Sequence, residues 1–291
     1  MTLRLAEVVD RDESPPFRDV RFGGAEMKEI RYASLLHDFG KVGVRENVLV
    51  KAKKLYPDQL ELVKQRFALA RKVREHEQCE RKLRYLLEKG RDEFLARQRD
   101  FQRELDDELR ALDEFLGFVL RCNEPTVLRK GNFQRLAEWA EREFVDESGQ
   151  ARRLLTEEEV RLLSISKGTL DDHERRQIES HVTHTLNFLR QIPWTKEIQN
   201  IPAIASAHHE KLNRTGYPAQ LSASEIPLQS KMMTISDIFD ALAANDRPYK
   251  KAMPWEKALD ILFEEAEKGL VDSELLGLFR AAEVYRLVAK R

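Results

Sequence analysis

The sequence predicts an all-α protein whose middle part is a long, coiled-coil-like helical segment. Three observations carry that prediction. Between Pro57 and Pro125 no proline occurs, and only Gly90 and Gly117 interrupt the run. Apolar residues recur at spacings of three and four along Leu60, Val63, Phe67 and Ala70, and again along Phe101, Leu105, Leu109, Leu112, Leu116 and Val119, the period of one helical face. Nowhere do apolar and polar residues alternate over the length of a run of strands.

Taken in order, Leu3 to Val9 form a short amphipathic stretch, followed by a loop marked by Ser14-Pro15-Pro16 and Gly23-Gly24. Met27 to Leu36 read as a helix closed by Gly40. Residues 57 to 122 are expected to form two long helices joined near Gly90. That span carries 15 acidic and 15 basic residues, so it stays soluble while offering an apolar seam, to itself or to a dimer or regulatory contact. Phe133 to Phe144 are expected to be helical and Asp146-Glu147-Ser148-Gly149 to turn. Thr169 and Asp172 have capping-box spacing. The helix they open points Ile178, Val182, Leu186 and Leu189 inward. Helices around Ile204 to His209, Lys231 to Ala244 and Trp255 to Glu267 follow, separated by Pro218, Pro227, Pro248 and Pro254. The expected division is 1–54, an insertion at 55–165, and 166–291.

The bulk composition narrows the class. At 291 residues and 42% apolar content the chain can bury a real core. Fifty basic against 51 acidic side chains leave a net charge of -1, so nothing global steers it to nucleic acid or an anionic membrane. No stretch approaches 18 apolar residues and Met1 to Asp10 lack the order of a signal peptide. A cytoplasmic location is expected, with neither nucleic acid nor membrane as partner. Cys79 and Cys122 are expected to be free thiols.

Chemistry concentrates at three places. His37 and Asp38 stand side by side where an apolar helix stops at Gly40. Adjacent helical residues point about 100° apart, so both reach one ion only near a helix end. His208-His209-Glu210 follow the apolar stretch Ile201 to Ala207, and two neighbouring imidazoles near a core face are costly unless metal or hydrogen bonds satisfy them. Asp237 is a carboxylate in apolar helical sequence, with Asp240 one turn on as its rival. His181 and His184 share nearly one helical face, which leaves the choice between them open on packing alone. His173 and His76 sit in charged surroundings without an evident role.

Together these residues resemble the HD-GYP subgroup of HD-domain metal phosphohydrolases. The matching segments are His37-Asp38-Phe39-Gly40-Lys41-Val42-Gly43, His181, His208-His209-Glu210, Thr215-Gly216-Tyr217-Pro218, Ile226-Pro227, Ser236-Asp237-Ile238-Phe239-Asp240-Ala241-Leu242 and Asp246-Arg247-Pro248-Tyr249-Lys250. The likeness covers residues 27–54 and 166–265 and passes over the charged helices between. It implies an HD-domain helical bundle and hydrolysis of cyclic di-GMP to pGpG and onward to GMP, in bacterial signalling. By resemblance His37, Asp38 and Asp237 hold one metal and His181, His208 and His209 the other, Asp38 bridging. Asp38 and Lys41 are then the catalytic pair, Lys41 on a substrate phosphate. The donor set lacks thiolate, which suits two divalent ions, iron or manganese. His181 is favoured over His184, and Glu210 becomes an acceptor for an imidazole N–H.

Two departures stand out. Arg214 occupies the family's usual glycine and Asn213 its frequent aspartate. The histidine the wider family places about thirty residues before the His-Asp pair falls near Leu5, leaving Glu7, Asp10 or a residue before Met1 as substitutes. The alternatives to cyclic di-GMP hydrolysis are another nucleotide substrate and a degenerate module signalling through the helical insertion. An upstream sensory domain is expected as partner, and residues 1–26 have no room for one.

Overall fold

The computed structural model describes residues 1–125, 130–146, 148–244 and 253–289. Glu147 of the expected turn and Asp246-Arg247-Pro248-Tyr249-Lys250 of the family signature lie outside the described residues. The fold is all-α, with one two-stranded ribbon among the described residues. The chain divides into two compact units, residues 1–50 with 173–291, and residues 51–172, against the expected divisions after 54 and 165.

The first unit opens with α1 (Thr2–Arg11) and α2 (Gly24–Leu36), a 3-10 turn (Phe39–Gly43) and α3 (Glu46–Leu49). The second unit begins with α4 (Pro57–Lys89) and α5 (Arg91–Cys122). Pro57 starts α4, where the missing N–H costs nothing, and the Gln59 side chain takes the Tyr56 N–H at 2.9 Å. Gly90 alone separates the two helices, with φ 82, a conformation glycine adopts without steric cost. α6 (Lys130–Ala140), β1 (Glu143–Val145), β2 (Ala151–Arg153) and α7 (Glu157–Leu163) complete this unit.

Helices α4 and α5 pack on each other and on the rest of their own unit. Val63, Phe67 and Ala70 meet Phe115, Phe118 and Val119 in one core with Leu136, Leu155 and Leu163. Trp139 stacks on Phe115 at 4.4 Å. Two local expectations are corrected here. Phe144 is not helical: it is the buried middle of β1, flanked by exposed Glu143 and Val145, so a period of two wins over a helical extension. Thr169 makes no capping box, because its hydroxyl donates to the Lys51 carbonyl at 3.0 Å. The box belongs to Thr156 and Glu159, whose side chains and backbone N–H groups bond reciprocally at 3.2 and 2.8 Å.

The chain returns to the first unit with α8 (Asp172–Leu189), α9 (Ile201–Ser206), α10 (Leu228–Ala243), α11 (Trp255–Glu267), α12 (Ser273–Ala281) and α13 (Arg286–Ala289). Leu5, Ala6 and Val9 of α1 pack with Ile30, Ile235, Phe239, Leu262 and Phe279. A smaller cluster of Ala33, Leu189, Ile204, Ala205 and Met233 joins α2, α8, α9 and α10. Each fully buried Leu, Ile or Phe contributes about 1.5–3 kcal/mol. The ends of those four helices are thereby fixed where the polar residues converge. Among the described residues no helix is long and apolar enough to cross a membrane.

Candidate metal centre

His37 is the C-cap of α2 and keeps helical dihedrals, while Asp38 leaves them at φ -99, ψ 4. The helix end therefore splays the two side chains, as adjacent ligands require. The turn that follows lies directly against α8. A Cβ on Gly40 would fall 1.9 Å from the His181 carbonyl oxygen and 2.6 Å from the Thr185 nitrogen, so only glycine fits. The Thr185 hydroxyl accepts the Gly40 N–H at 2.9 Å and donates to the His37 carbonyl at 2.9 Å. His37 and Asp38 are thus clamped one turn from His181.

Three imidazoles are oriented by one repeated device. The Nδ1 of His37 lies 2.9 Å from the Ser34 carbonyl and that of His208 2.6 Å from the Ala205 carbonyl, and that of His181 bonds the Ile178 carbonyl. A carbonyl only accepts, so each Nδ1 carries a proton, and Nε2 is the atom left to coordinate when the ring is neutral. Those three Nε2 atoms and Asp38 Oδ1 are buried and have no hydrogen-bond partner. They nevertheless face acceptors: His181 Nε2 is 3.3 Å from Asp38 Oδ1. His37 Nε2 lies 3.4 Å from Asp38 Oδ2 and 3.6 Å from Asp237 Oδ1. Lone pairs buried against carboxylates are costly unless a cation lies between them.

The ligand atoms of His181, His208 and His209 lie within 4.8 Å of one another, as do those of His37, Asp38 and His208. All six expected metal residues come together, and their donor chemistry fits divalent ions. The grouping differs in one respect from that expected. His208 completes the compact group of His37 and Asp38, and Asp237 joins through its 3.6 Å approach to His37. His184 is exposed, near the Ser180 hydroxyl at 3.3 Å, whereas His181 is buried beside His208 and His209. His173 bonds Gln177 at 2.8 Å and His76 lies beside Glu80 at 3.5 Å, both exposed.

The electrostatics agree with the geometry. Burial pushes His208 down to about 4, with His37 adding to the effect. Burial and then His208 push His209 down to about 2. Both rings are therefore neutral at pH 7 and free to coordinate. Burial opposes ionisation of Asp38, but His181, His37 and Lys41 hold its carboxyl far below the ordinary range. Burial likewise opposes a charged His37, and the carboxylates of Asp237 and Asp38 raise it all the same. Lys41 Nζ lies 2.5 Å from Asp38 Oδ2 and its side chain is 37% exposed, placing an ammonium on the open side of the cluster.

The loop after His209 is built around Glu210. Its buried carboxylate accepts the N–H groups of Ala219 at 2.7 Å and Leu221 at 3.0 Å. Glu210 therefore organises the loop and is not the acceptor for an imidazole that the sequence suggested. A Cβ on Gly216 would meet the Lys211 nitrogen at 2.3 Å, and this close approach brings the Tyr217 ring over His209 at 4.8 Å. Arg214 adopts φ 65. The loop thus keeps a glycine-like conformation despite the substitution, at a cost of about 1–2 kcal/mol. Asn213 Oδ1 takes the Thr215 N–H at 3.1 Å and its hydroxyl at 2.7 Å.

Of the expected substitutes for the upstream ligand, Glu7 and Asp10 are bonded elsewhere. Leu5 is fully buried in the core, Glu7 pairs with Arg4 at 2.8 Å and Asp10 accepts the Phe22 N–H at 2.8 Å. Two positioning residues had no sequence signal beyond a helical spacing. Thr185 is one, and Thr234, whose hydroxyl donates toward the His208 carbonyl at 2.7 Å, is the other.

Residues 158–275 match the HD domain family model. The matched span holds His181, His208, His209 and Asp237, while His37, Asp38 and Lys41 precede it. Over 115 residues, 40% of this chain, the sequence is 39% identical to the 3'3'-cGAMP-specific phosphodiesterase 3 of Vibrio cholerae, covering 24% of that protein. Over 188 residues, 60% of this chain, it is 27% identical to a cyclic di-GMP phosphodiesterase of Thermotoga maritima, covering 48% of it. A cyclic di-GMP phosphodiesterase of Vibrio cholerae is 48% identical over 61 residues, 21% of this chain and 12% of the relative. The matches thus span half or less of these relatives' own lengths.

Proposed function

We propose, on the premise that this chain belongs to the HD-domain family, that it is a metal-dependent phosphodiesterase of the HD-GYP type. Its substrate in this reading is cyclic di-GMP, hydrolysed to pGpG and onward to GMP. The observation that carries the reading is the set of three buried Nε2 atoms without hydrogen-bond partners, gathered with the ionised Asp38.

In this reading two divalent ions, iron or manganese by the donor set, would be held by His37, Asp38 and Asp237 and by His181, His208 and His209, with Asp38 common to both sets. Such ions, when bound, would polarise phosphoryl oxygens and make water more acidic. The protein side chains do the rest. Asp38, held ionised by Lys41 and two histidines, fixes both halves of the cluster. Lys41 donates from the open side to equatorial phosphate oxygens, where charge builds in the transition state. Tyr217 holds the His209 ring by stacking, and the Glu210 loop keeps Tyr217 there.

Protein purified and assayed without oxygen is expected to contain two ions per chain and to release pGpG from cyclic di-GMP. Full metal occupancy without turnover of any cyclic dinucleotide would defeat the reading. Cyclic GMP-AMP is the second substrate to test, because the 39% identical relative is named for it. This reading brings two partners, a second copy of the chain through α4 and α5 and a sensory domain that governs the output.

A further inference from the structure

Beside the metal cluster, bounded by His37 and Asp237, lies a cavity of about 410 Å³ between α1, α2 and α10. Its other walls include Leu3, Arg31, Ser34, Leu35, Met233 and Asp240. The volume falls within the roughly 300–1,000 Å³ of small-molecule sites. Glu7 and Asp10, two of the expected substitutes for a further metal ligand, are not among its lining residues. Leu5 is in the core, and Glu7 and Asp10 are bonded elsewhere.

Three features describe what the cavity would accept. Leu3, Leu35 and Met233 give it apolar walls, which suit a flat ring better than a hydrated ion. Arg31 lines it and makes no ion pair or hydrogen bond among the described residues. The Ser34 hydroxyl is buried without a hydrogen-bond partner, a cost that a ligand would relieve. Asp240 adds a carboxylate to the same cavity.

A second phosphate of the substrate would meet Arg31, but it would also meet Asp237 and Asp240 in largely apolar surroundings. A guanine base suits the same groups better. Its O6 and N7 both accept, matching the two donors of a guanidinium fork. Its N1–H and N2 amino group donate, matching a carboxylate, which accepts with both oxygens. Adenine presents an amino group beside N7, and a guanidinium has no acceptor to offer it.

We infer that the cavity lined by Arg31, Ser34 and Asp240 is a guanine subsite, seating one base of the substrate while its phosphate lies at the metal cluster. The inference rests on the phosphodiesterase reading for the identity of that substrate. It assigns Arg31 to the O6 and N7 edge, Asp240 to the N1 and N2 edge, and the Ser34 hydroxyl to a remaining polar atom of the base or its ribose.

The test is a titration of the metal-replete protein with GMP, AMP and ribose 5-phosphate, read by calorimetry. GMP is expected to bind at least tenfold more tightly than AMP. Arg31→Ala and Asp240→Asn should each weaken GMP tenfold or more and leave AMP and ribose 5-phosphate within twofold. Arg31→Lys, which keeps the charge but not the fork, should lose most of the GMP preference as well. Equal affinities for GMP and AMP would overturn the subsite. So would an Arg31→Ala protein weakened equally toward all three probes, which would make Arg31 a phosphate contact. Failure of the two readings is separable. Hydrolysis of cyclic di-GMP without any GMP preference sinks the subsite alone, whereas an Arg31-dependent GMP preference without hydrolysis of any cyclic dinucleotide sinks the phosphodiesterase.

Discussion

Thr185 is a single hydroxyl that joins residues 145 and 148 positions away, the Gly40 N–H and the His37 carbonyl. Thr185→Val would leave both backbone groups unpaired in a buried place, a loss of about 1–3 kcal/mol. Denaturant unfolding should show that loss together with reduced metal content, and Thr185→Ser should restore both. Wild-type metal content in a stable Thr185→Val protein would remove the positioning role. Lys41 belongs to the same scale. Lys41→Ala should retain its metal and lose about 10²–10³ in kcat, the cost of one charge-stabilising donor. Metal analysis beside turnover checks it, and undiminished turnover would defeat the phosphate contact. The sequence made His37, Asp38, His208 and His209 legible because ligand types cluster within a few positions. It hid Thr185 and the true bonds of Glu210, since a side chain bonding a distant or neighbouring backbone group leaves no pattern in residue order.

At the scale of elements, the two long helices were legible to within a residue, because absent proline, a single Gly90 and a repeating seam all speak locally. What faces the seam was not. Its base is covered by Trp139, Leu136 and Leu155 of the same unit, which the helical period alone does not reveal. Phe144 was lost for a related reason, as a three-residue strand is too short to display a period of its own. Toward the Gly90 junction, exposed Leu83, Leu87 and Leu95 remain, among them Leu87 at 77% exposure. If this end of α4 and α5 supplies the self-association contact, wild-type protein should sediment as a dimer. The Leu83→Glu, Leu87→Glu double variant should then sediment as a monomer with unchanged helicity. A wild-type protein that stays monomeric at high concentration would remove the partner role.

For the whole molecule, the cluster proposed to hold metal is a liability without it, and pH should expose this. His208 is pushed down to about 4 by burial, whereas an unfolded histidine titrates near 6.5. Between those values the unfolded chain binds a proton that the folded one refuses, so stability falls as pH falls through the window. His208 alone accounts for a loss on the order of 3 kcal/mol by pH 4, and His209, also lowered by burial, acts in the same direction. His37 works oppositely, since its raised value gives stability that is present below about 6.5 and lost as pH rises through the folded value. Asp38 and Asp237 have depressed values, so their stability is present above about 3.9 and is lost only below this window. With two lowered histidines against one raised, the metal-free protein should lose stability steadily from pH 6.5 to 4.5 in urea titrations. His208→Gln removes one of the two lowered groups, so its curve should be flatter than the wild type's over the same range. Manganese added at pH 7.5 should raise the unfolding midpoint, because it binds the folded state alone, and this gain should vanish near pH 4.5 as protons take the Nε2 positions. A wild-type curve that is flat from pH 6.5 to 4.5, or a His208→Gln curve with the wild-type slope, would show that the buried neutral imidazoles are not what ties this fold to its metal.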